Sequence, residues 1–144
     1  MINDDTIKLL NECNAGIKMG VQGVKEVIDH TQNKELLDIL VKYLDDHKKL
    51  GDKTHEYLNK FHDDDKEPNP VATAMSWVKI NFKLLQGNID EQIADVMTDG
   101  CNMGIKSIAR YLNKYPAALQ EVKDLSNDII KLEERFALDL RKFL

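Results

Sequence analysis

The six residues CNAGIK at positions 13–18 return as CNMGIK at positions 101–106, and this repeated phrase decides how the chain is organised. Both copies lie within long stretches whose apolar residues recur at steps of three and four, which is the spacing of one helix face. Each phrase is therefore predicted to be helical. A repeat within 144 residues indicates two halves of similar design, and a helical hairpin is the simplest unit that such a half can be.

The hydrophobic pattern predicts four long helices, arranged as two hairpins. Their approximate ranges are 3–30, 34–61, 89–115 and 116–144. The short connections within each hairpin require the joined helices to be antiparallel neighbours. Asn88 is expected to cap the third helix, and Pro116 is expected in the first turn of the last one, where its missing N–H does no harm.

A charged, proline-containing stretch, HDDDKEPNP at residues 62–70, separates the two hairpins. A shorter amphipathic helix is predicted over residues 71–86; it carries Trp77 and ends at Gly87. We expect one domain over residues 1–144, made of hairpin one (1–62), a crossover (63–88) and hairpin two (89–144). A connection that contains a helix favours a bundle with one long crossover over an up-and-down bundle with short loops.

Small residues form a stripe beside the apolar seam of the first helix and include Gly16, Gly20 and Gly23. An interior glycine costs a helix roughly 1 kcal/mol relative to alanine, so the stripe predicts that a neighbouring backbone comes very close. Asn14 is the one polar member of the seam itself. We expect it to pair with Asn102 or to bind water, which would fix the register of the two halves.

The composition of the chain indicates which partners and which cellular compartment to expect. The formal charge is -5 and the isoelectric point is about 5.4, with acidic residues spread along the helices, so no nucleic-acid partner is expected. No window is long and apolar enough to cross a bilayer, and no basic start is followed by an apolar stretch. Two cysteines are too few for a secreted disulfide framework. We expect a cytoplasmic protein with reduced thiols and no membrane contact.

Several short runs carry a family resemblance. They are LNECN at 10–14, WVK at 77–79, LLQG at 84–87, Asp90, Ile93 and GCN at 100–102. With the layout of the whole chain, they resemble the ferritin-like superfamily, and more closely a group of small uncharacterised bacterial four-helix proteins within it. The resemblance implies an all-α, ferritin-like four-helix bundle of two hairpins. In di-iron members it further implies a Glu from each of two helices and a Glu-x-x-His from each of the other two.

This chain departs from that ligand pattern at nearly every position. Where carboxylates are expected, the four helices offer Cys13, Asn14 and Gly16; His47, Gly51 and Thr54; Cys101, Asn102 and Gly104; and Ile129, Glu133 and Phe136. Two iron ions need several hard oxygen ligands, and one carboxylate with one imidazole cannot supply them. No cofactor is therefore expected, with iron or another divalent metal as the alternative.

The candidate ligands for that alternative are His47, Glu133, Cys13, Cys101, Asp52 and His55. His47 and Glu133 lie on the seams and are the best candidates for a buried pair. The cysteines are interpreted as small buried apolar residues rather than reactive thiols. Asp52 and His55 share an outward face, which indicates a solvated surface, and the run DDD at 63–65 lacks the glycine and glutamate of a calcium loop.

No nucleophile with an adjacent base, phosphate loop or zinc spacing is present, so we expect a protein that is not an enzyme. Three interpretations of function remain open. The first is a non-catalytic ferritin-like bundle acting as an interaction or stress-associated protein. The second is a metal-binding or redox protein with a non-standard ligand set, such as both cysteines with His47. The third is a partner module that docks through the Trp77 helix; the apolar bulk of that helix also predicts a homodimer.

Overall fold

The computed structural model describes residues 3–61 and 87–144. Within these ranges the secondary structure consists of α1 (Asp4–Ile28), α2 (Lys34–Lys60), α3 (Ile89–Lys114), α4 (Gln120–Leu140) and a short 3₁₀ helix (Arg141–Phe143). All regular secondary structure of the described residues is thus helical. The predicted all-α class and the four long helices are confirmed, and no helix end lies more than four residues from the predicted one.

Asparagine side chains cap the N-terminal ends of three of the four helices. Asn3, Asn33 and Asn88 each accept a hydrogen bond from the backbone N–H three residues further on, as an N-cap residue does. The predicted capping role of Asn88 is therefore confirmed. Gly87, which precedes it, has a φ of 84°, a left-handed conformation that only glycine adopts without strain.

The last helix begins later than the sequence predicts. Pro116 lies in the turn between α3 and α4 rather than in the first turn of α4, which starts at Gln120. Polar side chains from the start of α1 hold this turn: the Ala117 N–H donates to Asp5 at 2.9 Å, and the Leu119 N–H donates to Thr6 at 3.0 Å. These bonds satisfy backbone groups outside a helix, so the helix can start after the turn.

Contacts at the two ends of the bundle fix the directions of the helices. At one end, the Asn3 amide donates to the Ala117 carbonyl at 2.8 Å, so α1 begins where α3 ends. At the other end, the Gln32 N–H donates to Asp90 at 2.8 Å, so the α1–α2 connection lies beside the start of α3. Helix α1 packs against α2 and α3, and α4 packs against α3 and α2. Neighbouring helices are therefore antiparallel.

The end of α2 and the start of α3 lie at opposite ends of this bundle. Lys60, the last residue of α2, is 3.6 Å from Glu121 at the start of α4, which is the Asn3 end. The start of α3 is at the other end, beside Gln32. The predictions of a crossover helix, of a role for Trp77 and of a charged linker at 63–65 concern residues 62–86, which lie outside the described residues.

The core has two clusters, one toward each end of the bundle. One includes Tyr43 and Phe136, whose rings stack with centroids 4.5 Å apart, and the other includes Leu9, Leu10 and Leu125. The three-four spacing of apolar residues in the last helix predicts a buried seam, and its six central positions are all buried: Val122, Leu125, Ile129, Leu132, Phe136 and Leu140. On α2, Leu36 and Tyr43 are fully buried as well.

The predicted pairing of Asn14 with Asn102 is wrong. Asn14 is buried, but Asn102 is exposed to solvent. Helix α3 turns Cys101 inward, and successive residues of an α-helix point about 100° apart, so the next side chain leaves the core. None of the described helices has a stretch that is long and apolar enough to span a membrane.

Candidate functional site

A cavity of about 270 Å³ lies between α1 and α3, and both copies of the repeated phrase line it. Gly16 comes from the first copy, and Cys101, Met103 and Gly104 come from the second. The two phrases therefore face each other across one space. Much of the remaining wall is apolar and is formed by Met19, Val24, Met97, Ile108, Ile129 and Phe136.

Glycine keeps this space open, which differs from the close backbone approach predicted from the small residues. A Cβ at Gly16 would have its nearest neighbour in the side chain of Ile108, at 3.7 Å. A Cβ at Gly104 would meet Glu133 at 3.6 Å. Both are ordinary van der Waals distances, and no backbone atom of a neighbouring helix is the nearest contact. The predicted close approach is therefore wrong at Gly16.

Gly20 is different, because the ring of His47 occupies the position of a side chain there. A Cβ at Gly20 would lie 2.6 Å from Cδ2 and 2.8 Å from Nε2 of His47, closer than real Cβ atoms come to other atoms. The absence of a side chain on α1 thus makes room for an imidazole from α2. Gly20 is required by a side chain rather than by a backbone.

His47 and Glu133 form the buried pair that the sequence predicted. The His47 side chain has no exposed surface, and its Nδ1 lies 2.6 Å from the carbonyl oxygen of Tyr43. A carbonyl can only accept, so Nδ1 carries a proton and donates. The other ring nitrogen, Nε2, is hydrogen-bonded to Oε1 of Glu133. The ring edge also packs against Phe136, with centroids 6.0 Å apart.

The pair is held together by charge as well as by geometry. Burial acts to lower the pKa of His47, because it penalises the imidazolium. The hydrogen bond and negative charge of Glu133, with smaller effects from the Tyr43 carbonyl and Asp46, outweigh burial and raise the pKa above its usual value. The geometry therefore favours an imidazolium facing a carboxylate.

Cys101 also contacts Glu133. Burial raises the pKa of the Cys101 thiol, and the charge and hydrogen bond of Glu133 raise it further. The thiol consequently stays protonated, and its S–H is a donor to the carboxylate. Cys101, His47 and Glu133 thus meet at one wall of the cavity.

Cys13 has separate partners and does not join that group. Its sulfur lies 3.2 Å from the Ser126 hydroxyl, which itself donates to the Val122 carbonyl at 2.8 Å. The thiol is therefore the donor in the Cys13–Ser126 bond, and burial raises its pKa to about 12. The predicted burial of both cysteines is confirmed. The proposed ligand set of both cysteines with His47 is not assembled. Cys13 is paired with Ser126, and only Cys101 lies beside the His47–Glu133 pair.

The remaining candidates lie on the surface. Asp52 and His55 are both exposed on α2, as the interpretation of a solvated face requires. Within residues 3–61 and 87–144, no group of three or more histidine, cysteine, aspartate or glutamate side chains is arranged to hold a metal ion.

A second acid in the cavity wall, Glu12, was not among the candidates predicted from the sequence. Burial raises its pKa, while a hydrogen bond from the Tyr111 hydroxyl and the charge of Lys114 oppose that rise. Tyr111 lines the cavity as well. A spacing signal was present: Glu12, Gly16, Met19 and Gly23 recur at steps of four, three and four, which places them on one helix face. That face is the α1 wall of the cavity.

The arrangement suits binding better than covalent chemistry. Apolar walls with a few polar groups of shifted pKa are typical of small-molecule sites. The Glu133 carboxylate provides acceptor oxygens at one part of the wall, and Glu12 provides a second carboxyl group at another. Five of the described lining residues have ionisable side chains: Glu12, His47, Cys101, Tyr111 and Glu133.

Comparison of the chain with models of known protein families, with curated proteins and with solved structures finds no match.

Proposed function

We propose that this protein is a non-catalytic, ferritin-like bundle that binds a small ligand in the cavity between α1 and α3. It acts as an interaction or stress-associated protein whose state depends on that ligand. The observation that carries the proposal is the cavity itself, about 270 Å³ of mainly apolar space with the His47–Glu133 pair in its wall. Sites of this kind hold the ligand by apolar contact and orient it with few polar groups.

The direction of the helices supports the ferritin-like part of the proposal. Neighbouring helices are antiparallel, and α2 ends at the opposite end of the bundle from the start of α3. A bundle of two hairpins with this arrangement is joined by one connection that links its two ends, as in ferritin-like proteins. The short loops of an up-and-down bundle do not connect opposite ends.

The glycines of the cavity wall support ligand binding, because they lower the stability of the helices and leave the cavity open. Each interior glycine costs a helix roughly 1 kcal/mol relative to alanine. Gly16 and Gly104 have room for a methyl group at ordinary contact distance, so packing does not require glycine there. Residues that lower stability without a packing reason are typical of functional sites.

A metal-binding or redox function with a non-standard ligand set is the second candidate. It is favoured by the meeting of His47, Glu133 and Cys101, which together offer nitrogen, oxygen and sulfur atoms. The protonated thiol and the direct bond between His47 and Glu133 weigh against it. Metal analysis of purified protein separates the candidates. We expect less than one equivalent of iron or manganese; one equivalent that Glu133→Gln removes would establish the second candidate.

The partner and location proposals rest on sequence. A homodimer, or a protein partner at the Trp77 helix, depends on residues 71–86, which lie outside the described residues. A cytoplasmic location and the absence of nucleic-acid and membrane partners follow from charge and hydropathy. These remain predictions beside the cavity proposal.

Ligand-observed NMR with a set of small, uncharged aromatic compounds tests the proposed function. Wild-type protein should bind some of them, and Gly16→Leu should bind none, because its side chain projects into the cavity that Gly16 lines. Lys25→Leu is the matched control, since Lys25 is an exposed residue of the same helix and does not line the cavity. Binding that Gly16→Leu and wild type share equally would place the compounds elsewhere and refute the proposal.

A further inference from the structure

We infer that the cavity selects a small amphiphilic cation, an apolar body that carries one ammonium group. The Glu133 carboxylate would accept the N–H bonds of that group, and Glu12, at another part of the wall, would add negative charge. The inference rests on the proposed function, because it names the class of ligand that the same cavity takes.

The charges in the wall favour a cation. His47 with its raised pKa and the Glu133 carboxylate form a pair whose charges cancel. Cys101 is kept neutral by burial and by Glu133. Glu12 then adds a carboxyl group, and the positive side chain that lowers its pKa, Lys114, is exposed and is not part of the cavity wall. When Glu12 is ionised the wall carries a net negative charge, which a monovalent cation would neutralise.

The Glu133 carboxylate has acceptor capacity left for a ligand. A carboxylate offers about four acceptor positions on its two oxygens, and here one oxygen faces His47 while the Cys101 thiol donates as well. Its other oxygen, Oε2, would be 3.9 Å from a Cβ at Gly104, so the missing side chain leaves space beside that oxygen. The side chain is one-tenth exposed, and it lines the cavity.

The size and the walls define the apolar part of the ligand. A volume of about 270 Å³ lies just below the usual range for drug-sized ligands, which is about 300–1,000 Å³. Met19, Met97 and Met103 provide three flexible thioethers, which adapt to different shapes and pack well against aromatic rings. The aromatic rings of Tyr111 and Phe136 add surfaces that attract cations. Phenethylammonium combines these properties and serves as the probe.

Isothermal titration calorimetry at pH 7 tests the inference on the full chain with three probes of similar size: phenethylammonium, 2-phenylethanol and phenylacetate. We expect phenethylammonium to bind at least about tenfold more tightly than the alcohol, because one charge-assisted hydrogen bond contributes that much affinity. Phenylacetate should bind most weakly of the three. Glu133→Gln should reduce the preference for the amine over the alcohol to about threefold or less while the alcohol still binds. Glu134→Gln is the control, since it removes the same charge from an exposed neighbour on α4.

Each other outcome has a distinct meaning. If the alcohol binds as tightly as the amine, or if Glu134→Gln removes the preference as fully as Glu133→Gln, the cation proposal is refuted and binding in the cavity stands. If none of the three probes binds to wild type and uncharged aromatic compounds do not bind either, the proposed function itself is refuted. Circular dichroism verifies that Glu133→Gln is folded; if it is not, Glu12→Gln gives the same comparison, and an unchanged preference there refutes the proposal.

Discussion

Replacing Gly20 with alanine should destabilise the protein, although the same change normally stabilises a helix. Alanine in a helix interior is favoured over glycine by roughly 1 kcal/mol. At Gly20, however, the added Cβ would lie 2.6 Å from Cδ2 and 2.8 Å from Nε2 of His47. The imidazole would have to move about 0.8 Å to reach the 3.4 Å at which ordinary contacts begin.

That movement acts on two hydrogen bonds at once. It shifts Nδ1 from the Tyr43 carbonyl, now 2.6 Å away, and Nε2 from the Glu133 carboxylate. Overpacking of this kind costs about 1–3 kcal/mol, and complete separation of a buried charged pair costs about 3–5 kcal/mol. The gain in helix propensity offsets about 1 kcal/mol of the overpacking cost, and partial weakening of the charged pair adds to that cost, so we expect Gly20→Ala to lower the free energy of unfolding by about 1–3 kcal/mol.

Urea unfolding followed by circular dichroism at pH 6 measures this change. Gly16→Ala and Gly104→Ala are the controls, because their Cβ atoms would meet neighbours at 3.7 and 3.6 Å. Both controls should raise the free energy of unfolding, by up to about 1 kcal/mol. If Gly20→Ala is as stable as Gly16→Ala, His47 does not occupy the position that we assign to it, and the reasoning is refuted.

Three further predictions follow from the site and the sequence. Because the pKa of His47 is raised on folding, its contribution to stability is complete below about pH 6.5 and is lost as the pH rises through the folded value, by at most about 1.4 kcal/mol per pH unit. Unfolding at several pH values above 6 should show this loss in wild type and not in Glu133→Gln; equal profiles would contradict the charged pair. Since the pKa of both thiols is raised, that of Cys13 to about 12, a disulfide reagent at pH 8 should modify native protein at least about a hundredfold more slowly than urea-unfolded protein, and equal rates would contradict their burial. Light scattering at micromolar concentration should give the mass of a dimer that Trp77→Ala weakens, whereas a monomer whose stability Trp77→Ala lowers would show that Trp77 packs within one chain.

The helices and the buried pair could be predicted because both depend on local periodicity. The three-four spacing located the central positions of α4, from Val122 to Leu140, and an asparagine followed by an acidic first turn located the start of α3. His47 and Glu133 were found for the same reason: each lies on the apolar stripe of its own helix. Two polar residues on facing seams of a bundle have few partners other than each other.

The cavity could not be predicted, because it depends on the distance between two helices. A stripe of glycines on α1 is compatible with a close backbone, a large side chain from another helix, or open space. The structure has an imidazole at Gly20 and open space at Gly16. The exposure of Asn102 was missed for a related reason, because one turn of a helix can face either of two neighbours and the rotation of α3 decides which residues it buries.

Methyl NMR of protein labelled with [methyl-¹³C]methionine tests binding in the cavity most directly, because Met19, Met97 and Met103 line it from α1 and α3. During a titration with phenethylammonium, the three methyl resonances should shift together and saturate with one dissociation constant, which should agree with calorimetry. In Gly16→Leu the same titration should leave them in place. If wild-type resonances of all three methionines do not move at concentrations that saturate the calorimetric signal, the ligand binds elsewhere and the cavity is not the functional site.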